Sequence, residues 1–120
     1  MYYLEIALKL IVSLSILNVW LLRANKSTPY RGGKANSIKE EFAVYGLPGW
    51  FVGVIGALKV GLALALIASI WFFVLEMYAA LGIAFLMFGA VAMHIKVNDP
   101  IIKAFPAALF LLLSLAIYFI

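Results

Sequence analysis

Two sets of side chains in this sequence could do chemistry, and the first is a single lysine inside an apolar stretch. Lys59 follows a run of apolar and small residues that begins near Leu47. A rise of ~1.5 Å per residue places Lys59 ~15 Å deep, near the middle of a bilayer. A lone lysine there costs ~2.5–3.5 kcal/mol, so it should face protein, water or a bound anion rather than lipid. A ligand contact and a structural donor satisfied by serines, Glu5 or Glu76 both remain open.

The second set surrounds the single histidine, His94, at the end of a predicted helix. Polar residues expected at a similar depth are Asn18, Arg23, Glu40, Glu41, Lys96, Asp99 and Lys103. Imidazole titrates near neutral pH, so this group could bind a ligand or move protons. The alternative is a plain helix C-terminal cation. We predict that Arg31 or Glu41 lies within hydrogen-bond reach of the His94–Asp99 turn; the alternative is a loop that points away into the cytoplasm.

Other reactive patterns are missing from the sequence. It contains no cysteine and one histidine, so we predict no metal site and no covalently bound cofactor. Glu5 and Lys9 stand at i and i+4, the favourable order for a pair on a helix surface. We interpret them and Glu76 as solvated helix ends, with Lys9 extending outward to the membrane surface.

The elements that must position these residues are membrane helices, because 68% of the 120 residues are hydrophobic and 12% are charged. A soluble domain of this length cannot bury that much apolar surface. The fold class predicted is therefore all-α, an integral membrane four-helix bundle forming one domain over residues 1–120. Its spans are predicted at about 4–22, 48–69, 75–94 and 100–120, each long enough to cross a bilayer.

The hydrophilic segment 23–46 joins the first two spans and contains a short predicted helix. Ser37 and Glu40 have the spacing of a capping box before a helix at about 38–45. Its apolar residues, Ile38, Phe42 and Tyr45, fall on one face, which suits the membrane surface.

Basic residues set the predicted orientation. Five of the nine lie in 23–46, and two more, Lys96 and Lys103, lie around the connection 95–99. The positive-inside rule places loops 23–46 and 95–99 in the cytoplasm and both termini outside a bacterial inner membrane.

Small residues recur every four positions in the second span, at Gly53, Ala57, Gly61, Ala65 and Ser69. Such a ridge lets another helix approach closely. We predict packing within the bundle; a homodimer seam is the alternative.

Several segments carry a resemblance to a known family: Thr28-Pro-Tyr-Arg-Gly-Gly33, Glu40-Glu-Phe-Ala-Val-Tyr-Gly-Leu-Pro48 with Trp50, Gly56-Ala-Leu-Lys-Val60, and Leu86-Met-Phe-Gly-Ala-Val-Ala-Met-His-Ile-Lys-Val-Asn-Asp-Pro100 with Pro106. The chain resembles small bacterial proteins of the DoxX-like family over roughly residues 18–110. The resemblance implies a four-helix inner-membrane bundle. Named members are accessory subunits linked to thiosulfate:quinone oxidoreduction, and more distant relatives assist assembly of membrane receptors.

Three functional hypotheses follow. The first is an accessory or assembly subunit, or a binder of a small lipid-like molecule, without autonomous catalysis. The second is a subunit of a quinone-linked oxidoreductase, with a quinone as cofactor and a membrane or redox protein as partner. The third is a small dimeric transporter that uses Lys59. The expected partner in every case is the lipid bilayer, and nucleic acid is not expected. The candidate ligand-binding residues are Lys59, Arg31, Glu41, His94 and Asp99.

Overall fold

The computed structural model describes residues 2–22 and 30–120, and all regular secondary structure within them is helical. The helices are α1 (Tyr2–Leu17), which continues into a π-helical turn (Asn18–Leu22), α2 (Ile38–Val44), α3 (Gly49–Ala68), α4 (Leu75–Lys96) and α5 (Ile101–Phe119). The predicted fold class is confirmed. Arg23 and Lys26, which contribute to the predicted orientation, lie outside the described residues.

Four helices are long and apolar enough to cross a membrane: α1 with its π turn, α3, α4 and α5. The connection between α3 and α4 is short and bears exposed aromatic side chains, Trp71, Phe72 and Phe73. Aromatic residues at this position are typical of the interface between hydrocarbon and water. The described part of the chain is therefore that of a multi-pass membrane protein.

Local signals explain where the short helix begins and ends. Ser37 is extended, and its hydroxyl accepts a hydrogen bond from the Glu40 amide, as the capping box predicts. After α2, Gly46 has a φ of 78°, the left-handed conformation that glycine adopts without strain. Pro48 then precedes α3, so α2 and α3 meet at a tight corner.

The four spans form a ring in which α1 and α4 are diagonal. Each of these two helices packs against both α3 and α5. The core where they meet is filled by buried side chains that include Val12, Leu66, Ile83 and Ile117. Alanines at the α3–α4 contact, Ala63 and Ala79 among them, are completely buried. This core occupies the half of the bundle away from α2, which we call the far side; the end that α2 covers is the loop side.

Packing of the small-residue ridge inside the bundle is contradicted over its first three members, whereas Ala65 packs against the core and Ser69 is buried. Gly53, Ala57 and Gly61 are exposed, and no atom lies within 4 Å of a β-carbon built on either glycine. The inward face of α3 instead carries Gly56, Ala63 and Leu66. Since α3 is apolar on all sides, its composition does not distinguish a lipid-facing side from a protein-facing one.

The interpretation of Lys9 and Glu76 as solvated helix ends is wrong. Lys9 is 3% exposed, and its ammonium lies 3.0 Å from a carboxylate oxygen of Glu76, which is 8% exposed. The Lys9 ammonium also donates to the Ser69 carbonyl oxygen at 3.4 Å. The i, i+4 spacing considers only pairs within α1, such as Glu5 with Lys9. The actual partner of Lys9, Glu76, lies on the diagonal helix α4. Burial would be costly for either charge alone, and the two offset each other.

Candidate functional site

The segment 30–46 folds back over the loop side of the bundle. The Gly33 amide donates to Asp99 Oδ1 at 3.0 Å, and the Lys103 ammonium donates to the Gly33 carbonyl oxygen. The Lys96 ammonium donates to the Tyr45 carbonyl oxygen at 2.9 Å. These contacts tie both ends of the segment to the α4–α5 turn.

The apolar face of α2 completes this cover. Ile38, Phe42 and Tyr45 are each at most 8% exposed. The Phe42 ring packs against Trp20 and Phe51, with centroids 6.1 and 6.3 Å away. The expectation that this face lies on the membrane surface is therefore wrong, because aromatic side chains of the bundle are close enough to bury it.

A two-lobed cavity lies beneath the cover. One lobe, of about 410 Å³, lies between α1, α4 and α5, and the other, of about 310 Å³, lies between α2, α3 and α4. The residues shared by both lobes are Val19, Trp20, Arg31, Glu41, Lys59, Ala90 and His94. Apart from the four charged or titratable side chains in this list, the walls are mostly apolar. This is the usual composition of a site for a small molecule.

Lys59 enters the cavity from the inner face of α3. Its ammonium lies 5.3 Å from the centroid of the Trp20 ring, a cation–π contact. Trp20 is held there by the π turn of α1, the kind of irregularity that frequently marks a functional site. Within residues 2–22 and 30–120, the Lys59 ammonium makes no hydrogen bond and no ion pair.

Arg31 and Glu41 face each other in the wall that the two lobes share. Their charged groups are 3.9 Å apart, and the side chains are 6% and 14% exposed. The Gly32 amide also donates to Glu41 Oε2 at 2.5 Å. The negative charge of Glu41 is therefore already balanced by the positive charge of Arg31.

His94 and Asp99 form a buried dyad beside the cavity. His94 Nδ1 lies 2.8 Å from Asp99 Oδ2, and the Asp99 side chain is 5% exposed. Burial by itself raises the pKa of Asp99, but hydrogen bonds from His94 and the Gly33 amide, with the charge of Lys103, outweigh burial and hold that pKa below its usual value. Asp99 is thus ionised at neutral pH and accepts the hydrogen on Nδ1, which leaves Nε2 free to accept or bind a proton.

Tyr45 contacts that second nitrogen. Its hydroxyl lies 3.4 Å from His94 Nε2, and the two rings meet edge to face. Burial, together with the charge of Glu41 and a hydrogen bond to it, raises the pKa of the Tyr45 hydroxyl well above its usual value. Tyr45 therefore keeps its proton at every physiological pH.

The structure brings four of the five predicted residues, Lys59, Arg31, Glu41 and His94, to one cavity. Asp99 lies behind His94 and binds the cover. The segment folds back as predicted, and Gly33 and Tyr45 contact the His94–Asp99 turn.

Sequence reasoning missed Trp20, Gly33 and Tyr45 as parts of the site. One usable signal existed: Glu41 and Tyr45 are four residues apart on α2, so a helix that turns one toward a cavity turns the other as well. The described residues contain no group of three or more His, Asp or Glu side chains placed to hold a metal ion.

The protein is an all-helical bundle with four apolar spans and a cavity beneath the cover. These features are those of a small multi-pass membrane protein. The sequence pattern of the DoxX-like family matches residues 31–117 of the 120-residue chain. The chain belongs to that family. No curated protein and no solved structure matches it.

Proposed function

We propose that this protein binds one small amphipathic, lipid-like molecule in the two-lobed cavity, as an accessory or assembly subunit without catalysis of its own. One observation carries the proposal: the Lys59 ammonium faces a mostly apolar cavity and has no ionic partner in the described part of the chain. A half-buried charge among apolar walls is stabilised by a partner, and a ligand head group can supply it.

The charges around the cavity favour an anionic or strongly hydrogen-bond-accepting head group. Arg31 is balanced by Glu41, and Lys103 by Asp99 at 4.0 Å. Among the described residues that line the cavity, Lys59 is the cation without an ion pair. Apolar side chains such as Ile16, Met87 and Phe110 form the remaining walls, which suit a hydrocarbon body.

A quinone-linked role is the second candidate, and the Trp20–Lys59 pair favours it. A quinone has carbonyl acceptors for the Lys59 ammonium and a flat ring that fits against an indole. In that role a partner membrane or redox protein would supply or remove the electrons. A dimeric transporter would use the same lysine and would have the exposed ridge around Gly53 and Gly61 as its dimer seam.

We propose the bacterial inner membrane as the location, with the loop side cytoplasmic and both termini outside. The basic residues in the described part of that side, including Lys34, Lys39, Lys96 and Lys103, support this orientation.

The binding test uses Trp20 as the reporter. In a Trp50→Phe/Trp71→Phe background, Trp20 is the remaining tryptophan, and the two removed side chains are exposed. The protein is placed in phosphatidylcholine nanodiscs and titrated with 11-bromoundecanoate, whose bromine quenches indole fluorescence. We expect saturable quenching that weakens roughly tenfold or more in Lys59→Met, since a charge-assisted hydrogen bond contributes about 1.5–3 kcal/mol.

Two controls sharpen this result. Lys34→Gln removes a positive charge from an exposed position outside the cavity and should leave the titration unchanged. Menadione, a flat naphthoquinone without an acidic head, tests the second candidate: saturable quenching that competes with the bromo acid favours a quinone. Quenching that never saturates and is equal in Lys59→Met contradicts the proposal.

A further inference from the structure

The proposed binding of an amphipath uses Lys59 but leaves the His94 dyad unexplained. His94 is 6% exposed and lines both lobes of the cavity. Its Nδ1 is fixed by Asp99, so any change of protonation takes place at Nε2. A dyad that faces a ligand cavity in this way is poised to hold a proton there.

The Tyr45 hydroxyl can satisfy Nε2 in either protonation state. With a neutral imidazole, the hydroxyl donates its hydrogen to Nε2 at 3.4 Å. With a charged imidazolium, Nε2 donates to the same oxygen, and the hydroxyl hydrogen turns toward Glu41, with which Tyr45 also interacts. Both states give His94 Nε2 and the Tyr45 hydroxyl a partner, so geometry does not penalise protonation.

The charges around His94 come from every element packed near it. They are Asp99 on its own turn, Arg31 and Glu41 in the cover, Lys59 on α3 and Lys103 on α5, with the neutral Tyr45 at the end of α2. Asp99 stabilises an imidazolium, whereas the unpaired Lys59 opposes it. An anion at Lys59 removes that opposition, because it neutralises a cation that lines the cavity and has no ion-pair partner among the described residues.

We propose that the cavity binds its anionic amphipath together with one proton, taken from solution and held on His94 Nε2. This inference rests on the proposed function and adds the proton as a second ligand of the same site. By reciprocity, the anion increases the affinity for the proton and the proton increases the affinity for the anion. Affinity for the anion therefore falls as the pH rises and the imidazolium gives up its proton, by up to about tenfold per pH unit.

The test uses decanesulfonate, which remains anionic at every working pH, so any proton taken up belongs to the protein. Binding to nanodisc-embedded protein is measured calorimetrically in two buffers of different ionisation enthalpy, and the difference in heat gives the protons taken up. Titrations from pH 6 to pH 8.5 give the affinity profile. The neutral 1-decanol is the matched probe and should show neither uptake nor pH dependence.

We expect wild type to take up a fraction of a proton near pH 7 and to lose affinity as the pH rises. His94→Gln should bind decanesulfonate with no proton uptake, at a pH-independent affinity close to the high-pH limit of wild type. Asp99→Asn, which keeps a hydrogen-bond acceptor for Nδ1 but removes the countercharge, should reduce the uptake. Lys34→Gln should behave as wild type.

The outcomes separate the two proposals. Saturable binding by wild type without proton uptake overturns this inference and leaves the proposed function standing. Uptake that persists in His94→Gln also overturns it, since another group then holds the proton. Absence of saturable binding overturns the proposed function and this inference together.

Discussion

The buried Lys9–Glu76 ion pair yields a prediction about stability. The two charged groups are 3.0 Å apart across the bundle, at 3% and 8% residue exposure. Removal of one member of such a pair costs about 3–5 kcal/mol, because the remaining charge is buried alone. An exposed pair would contribute at most about 1 kcal/mol. Lys9→Met should therefore lower the free energy of unfolding by about 3–5 kcal/mol.

Glu76→Gln should cost less, about 1–3 kcal/mol. Lys9 then keeps the Ser69 carbonyl oxygen at 3.4 Å, and the amide oxygen of glutamine can accept in place of the carboxylate. The double variant Lys9→Met/Glu76→Gln should lose less than the sum of the single losses, by at least about 1 kcal/mol, since neither charge remains.

The assay is SDS unfolding in mixed micelles, followed by tryptophan fluorescence and extrapolated linearly to zero SDS. Glu5→Gln is the matched control: it removes a carboxylate four residues before Lys9 that has no ion pair within the described residues, and should change stability by less than about 0.5 kcal/mol. Added salt should change the coupling little because the pair is buried. Losses that simply add in the double variant would refute the reasoning.

Two further predictions concern the cavity wall and the orientation. Gly56→Ala should reduce quenching of Trp20 by 11-bromoundecanoate several-fold, because a β-carbon at Gly56 would lie 2.9 Å from the indole ring and displace it; Gly53→Ala, with no atom within 4 Å, is the control, and equal effects would exclude this explanation. In intact cells an impermeant thiol reagent should label Val74→Cys but not Lys34→Cys, both at exposed positions of a chain without native cysteine. The reverse pattern would invert the proposed topology.

Composition and local spacing predict much of this fold because lipid imposes strict requirements. An apolar run of about 20 residues must span or be buried, and Ser37 with Glu40 specifies a helix start from four consecutive residues. Lys59 could be singled out for a related reason, since a midplane charge needs a compensating environment. These inferences depend on one segment at a time.

What could not be predicted depends on contacts between segments. The lipid phase and the bundle interior are equally apolar, so hydropathy did not reveal that Gly53 faces outward. The partner of Lys9 lies 67 positions along the chain at Glu76, beyond any helical periodicity. In the sequence, Tyr45 belongs to the apolar face of the short helix, and its hydroxyl gives no sign of a role. The hydroxyl lies beside His94 because the segment 30–46 folds back over the bundle.

The cover over the cavity is held at Gly33 through backbone atoms alone: its amide binds Asp99 and its carbonyl oxygen accepts from Lys103. Every amino acid except proline has both atoms, so these bonds do not specify a side chain in the cover. The constraint at this position is conformational and steric instead, because Gly33 has a φ of 56° and a β-carbon built on it would lie 2.9 Å from Val44 Cγ1. In a saturation mutagenesis scan, selection should therefore fall on Asp99, Lys103 and Gly33, with wide freedom at the exposed Lys34. The cover can thus change its outer surface without losing its anchor.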